Sequence, residues 1–158
     1  MRIDERVEGR LRECYSGAIA KDSDLITAAL AGITKEDTAH LLGLGLFVVG
    51  FVVKDVLRED LTDESIRDLA DKIVTKQADW IDLGDASEVT AFLKAAATGD
   101  RQLAGLGGED ITGLVIVCGA HLLNYYRLDG QRWFQYLDEI WSILESTPEP
   151  TSQDDPVA

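Results

Sequence analysis

The chain has 158 residues, of which 29 are Asp or Glu and 15 are Lys or Arg, a formal net charge of −14. So acidic a domain lacks the cations that a generic nucleic-acid binder or an anionic-membrane binder needs. Two cysteines are too few for a disulfide framework or a zinc site made of cysteine alone.

The first residues, Met1-Arg2-Ile3-Asp4-Glu5-Arg6, carry no apolar core of a secretory signal, and a cytoplasmic protein with reduced cysteines is expected. Ile3, Val7, Leu11, Tyr15 and Ala18 then recur every three or four residues, opposite Asp4, Glu5, Glu8 and Arg12. That period predicts an amphipathic first helix. Ser23 is read as the cap of a short second helix bearing Leu25, Ile26, Ala29 and Leu30 and ended by Gly32.

Thr34 caps a third helix, with Glu36 and Asp37 in its first turn, where the helix dipole favours negative charge. The long uncharged stretch Thr38 to Val53 lies within it. A bilayer span needs about 20 apolar residues, so this stretch reads as a buried helix and no membrane is expected as a partner. Thr62 starts a fourth helix with the stripe Ile66, Leu69, Ile73, Val74 and Trp80. Ser87 is taken to cap a fifth helix, ended by Gly99. The segment Gly105-Leu-Gly107-Gly108 stands before a sixth helix. Glu109 and Asp110 place negative charge where a bound phosphate would sit, so a mobile connection is expected there. Asp129-Gly130 turns the chain into a seventh helix bearing Trp133, Leu137, Ile140, Trp141 and Leu144.

Proline is absent before Pro148, which favours helices throughout. The reading is therefore an all-α single bundle of six or seven helices over residues 1–146, with a flexible, acidic, Pro-rich tail over 147–158. Leu41–Val53 and Ile111–Tyr126 are apolar almost all the way round, which places the third and sixth helices at the centre, covered on every side. Gly43, Gly45 and Gly50 are expected to allow close approach to the region of Gly113 and Gly119. The order short helix, apolar helix, amphipathic helix occurs twice, which admits two pseudo-repeated three-helix units.

No nucleophile constellation stands out, and no catalytic residue or cofactor is assigned. Both histidines sit in Ala-His-Leu-Leu, and three residues before each lies a candidate metal ligand. Asp37, His40, Cys118 and His121 would form one site only if the two central helices brought them together. The aromatic surplus near the end, Tyr126, Phe134, Tyr136 and Trp141, marks a candidate partner surface or simply fills the core. The function expected is a non-catalytic protein-interaction module, with a basic protein or a second copy as partner. A ligand or metal site between the third and sixth helices is the alternative.

Overall fold

The structure is a computed structural model that describes residues 3–99 and 108–146, with side chains from Ile3 to Gly99 and from Ile111 to Ser146. The expected tail and the segment 100–107 lie outside the described residues. Seven α-helices follow one another: α1 (Glu5–Ile19), α2 (Ser23–Leu30), α3 (Lys35–Leu57), α4 (Asp63–Gln77), α5 (Ala86–Thr98), α6 (Gly108–Tyr125) and α7 (Trp133–Ser146). A single 3-10 turn, Arg58–Asp60, links α3 to α4, and no strand occurs among the described residues. The fold is an all-α bundle of seven helices.

The starts of α1 to α5 are each fixed by a side chain that accepts from orphan backbone N–H groups. Asp4, Asp22, Thr34, Thr62 and Asp85 do this for α1 to α5, at about 1 kcal/mol each. The caps of α2 and α5 are thus Asp22 and Asp85, not Ser23 and Ser87. An aspartate one or two residues upstream reaches the first free N–H groups, and the serines become part of the helix. Gly99 closes α5 in the left-handed conformation (φ 77°), as a glycine can without strain.

α6 lies innermost. From Leu114 to Leu123 every residue is buried, so over these ten residues the helix has no watery side. It crosses α1 where the Tyr15 ring rests on Gly119, and it crosses α3 where Val115 fills the space above Gly45. A Cβ on Gly45 would stand 2.1 Å from Val115 Cγ1, and one on Gly119 would stand 2.8 Å from Tyr15 Cε1. The close approach expected of the glycines is real at Gly45. Gly50 serves a different neighbour, since a Cβ there would meet the Ala96 carbonyl of α5 at 2.3 Å. Gly43 and Gly113 face open space.

α3 departs from expectation. Leu41, Leu44, Val48, Val49, Val52 and Val53 are buried against α1, α5 and α6. Its other flank is not covered: Gly43 is exposed, and His40, Phe47 and Phe51 are only half-buried. Only 44% of its most apolar stretch is buried, and by length and composition alone Lys35–Asp60 could cross a bilayer. Length by itself therefore does not keep α3 out of a bilayer; contact with α1, α5, α6 and, more slightly, α7 is what ties it into the bundle. The pairing of the short helices also departs from two equivalent units. α2 packs on α1 at Gly17, whereas α5 packs on both α3 and α4.

Candidate functional site

The four candidate metal ligands do not form a set. Asp37, in the first turn of α3, receives both terminal guanidinium nitrogens of Arg6 from α1. Its carboxyl is held below the usual carboxylate range by that hydrogen bond, against the opposing pull of burial. His40 sits on the half-open flank of α3. Cys118 is fully buried, and burial pushes its thiol up to about 12, which keeps it protonated at neutral pH in the absence of a metal. Cys14 is buried and raised to about 12 in the same way. Among the described residues no three His, Cys, Asp or Glu side chains gather in a way that could hold a metal ion.

His121 is occupied elsewhere. Its Nδ1 accepts from the Gln77 side-chain amide of α4 at 2.9 Å, which assigns the ring proton to Nε2. Gln77 in turn accepts from the Trp80 indole N–H, and the imidazole stacks on Tyr125 with ring centres 4.5 Å apart. His121 is 4% exposed. Burial, with a smaller contribution from the nearby Lys76 charge, lowers its pKa to about 4, so the ring is neutral at pH 7. Sequence reasoning missed Gln77. The signal was present, because Gln77 continues the core stripe Ile66, Leu69, Ala70 and Ile73 by one more step of four.

A recess opens beside this chain of hydrogen bonds, lined by Ala18, Ile19, Lys21, Gln77, Ala120, His121, Asn124 and Tyr125. Its volume is about 260 Å³ with the open solvent at its mouth included. Small-molecule sites run from about 300 to 1,000 Å³, so the recess suits a few waters better than an organic substrate. Lys21 stands at its edge with φ 57° and pairs with Asp79 at 2.5 Å.

The four aromatics proposed as a partner surface divide. Tyr136 and Trp141 are buried, 5% and 6% exposed. Each ties α7 to another helix: the Tyr136 hydroxyl donates to Asp55 of α3 at 2.7 Å, and the Trp141 indole donates to Glu8 of α1 at 3.0 Å. Burial and the Asp55 carboxylate both push the Tyr136 phenol up. Tyr126 is half-buried and Phe134 is exposed, the latter packed edge-on against Trp133.

No family model, no curated protein and no solved structure matches this chain. Its own surface is the ground for a functional reading.

The outer flank of α3 is an apolar surface that the other helices cover only in part. Glu36, His40, Gly43, Phe47, Phe51 and Lys54 recur at helical spacing and form one stripe. The Phe47 and Phe51 rings stand 6.3 Å apart, tilted by 30°. In the sequence only His40, inside the uncharged stretch, marks this face.

Proposed function

We propose that the protein is an acidic, non-catalytic protein-interaction module of the cytoplasm whose partner is a basic protein. The observation that carries the reading is the half-open apolar flank of α3 on a chain of net charge −14. An apolar patch supplies affinity once it is covered, and a strong negative field speeds encounter with a cation-rich surface. The chemistry of the interior supports the same reading. Both thiols are held protonated, and the one buried imidazole is engaged by Gln77. Two copies meeting would each carry −14, so self-association works against charge repulsion.

Affinity capture with cross-linking, at low and at high salt, combined with light scattering over a concentration series, tests this. The expected result is a monomer that retains basic proteins and releases them as ionic strength rises. A dimer that captures nothing, or capture indifferent to salt, overturns it.

A further inference from the structure

We propose that the stripe His40–Gly43–Phe47–Phe51 on α3 is the docking groove for one basic amphipathic helix of a partner protein. This rests on the interaction reading above and adds the surface and the shape of its occupant.

Geometry argues for a helix. His40 to Phe51 is twelve residues, eleven steps of 1.5 Å or about 17 Å, which matches three turns of a partner helix laid alongside. The surface is one helix wide, because Leu44 and Val48 to one side of it are buried and Gly50 is covered by Ala96 of α5 on the other. Gly43 leaves a notch: a Cβ placed there would meet nothing within 4 Å. A bulky apolar side chain from the partner fits that notch, with Phe47 and Phe51 as the neighbouring anchors, in the helix-in-groove mode of recognition.

Charge argues for a basic helix and against the other occupants. Glu36 stands at one end of the stripe and the Asp55 carboxylate beside the other, within a chain carrying 29 acids against 15 bases. Lys54 is the one cation in the stripe itself. A second copy would bring like charge to the same stripe. An anionic lipid surface is repelled by the same field.

The test is a titration of the full chain followed by amide chemical shifts. The probes are a Leu/Lys peptide of about four helical turns with its leucines on one face, and a scrambled peptide of equal composition. The patterned peptide should bind about tenfold or more tighter than the scrambled one, with shifts centred on His40 to Phe51. Phe47→Ser with Phe51→Ser should erase the preference. Gly43→Gln, which fills the notch at a site with open space, should weaken it while keeping the helical signal and without lowering the melting temperature. Equal binding of both peptides, or shifts on the acidic residues of α4, would mean attraction by charge alone and overturns the proposal. Dimerisation through the stripe, or binding of zwitterionic vesicles that needs Phe47 and Phe51, overturns it as well. If the patterned peptide instead settles on Phe134 and Tyr126, the groove is wrong while the interaction reading stands. If neither peptide binds and capture also fails, both are wrong.

Discussion

α6 and α3 are built from the same kinds of residue, long apolar runs interrupted by glycine, yet they sit in different surroundings. α6 is buried without interruption from Leu114 to Leu123, whereas α3 turns Gly43, His40, Phe47 and Phe51 toward water. The difference lies in the neighbours. α6 is enclosed by α1, α3 and α7 and meets Gln77 from α4 at its end. α3 is held by α1, α5 and α6, and α7 reaches it only near Asp55. Apolarity all round a helix therefore states what a helix could bury, and how its neighbours are distributed around it decides what it does bury.

Truncating each helix gives the sharpest contrast. Leu122→Ala in α6 removes a fully buried side chain and should cost about 3–4 kcal/mol, while Phe47→Ala on the open flank of α3 should cost about 1 kcal/mol. Urea unfolding of both variants measures this, and equal losses would erase the distinction between the helices.

Acid should strike α6 next. His121 binds a proton near pH 6.5 when unfolded and only near 4 when folded, so the unfolded chain takes up more protons between those values. Stability is complete above about pH 6.5 and falls as pH drops toward 4, by about 3 kcal/mol at most. Asp37, whose pKa is lowered by Arg6, adds its loss only at lower pH, as the carboxylate itself protonates. Unfolding midpoints at pH 7 and pH 4.5 should show the drop, and His121→Leu should flatten it; an unchanged slope in that variant would place the acid sensitivity elsewhere.

The glycines of α3 divide its covered side from its open one within a single helix. Gly50→Ala drives a methyl into the Ala96 carbonyl and should destabilise by about 2–3 kcal/mol. Gly43→Ala meets open space, gains helix propensity and should stabilise by about 0.5–1 kcal/mol. Thermal melts that move in opposite directions bear this out; two losses would mean that the flank at Gly43 is covered.

The smallest effect concerns the crossing of α1 with α6. The Tyr15 hydroxyl is buried between Gly45 and Gly119, with no hydrogen-bond partner among the described residues. Burial raises its pKa far above the ordinary phenol value. Tyr15→Phe removes an unpaired polar atom and should be neutral or stabilising by up to about 1 kcal/mol. A clear loss in the melting temperature would show that the hydroxyl is bonded after all.

The helices were legible because each carries its own period and its own punctuation. Ile3 to Ala18 and Trp133 to Leu144 repeat at helical spacing, Gly99 stops α5, and Thr34 and Thr62 start α3 and α4. The caps at Asp22 and Asp85 were misplaced by one or two residues, since serine and aspartate compete for the same role and only the geometry picks one. The candidate site was far less legible. His40 and His121 look alike in the sequence, both in Ala-His-Leu-Leu, but one faces outward on α3 and the other bonds to a residue 44 positions away. Tyr136 and Trp141 likewise could be read from the sequence as surface anchors or as core filling, and their donors to Asp55 and Glu8 show that they tie α7 to α3 and α1.

Local chemistry by itself determined the helical class, the element order and the acidic field, because period, capping and charge act within a few residues or on the whole chain at once. The tertiary structure alone decided which apolar faces stay open and which polar side chains meet. Those outcomes depend on contacts such as Arg6 with Asp37, Gln77 with His121 and Asp55 with Tyr136, whose partners are 31, 44 and 81 residues apart and leave no local trace.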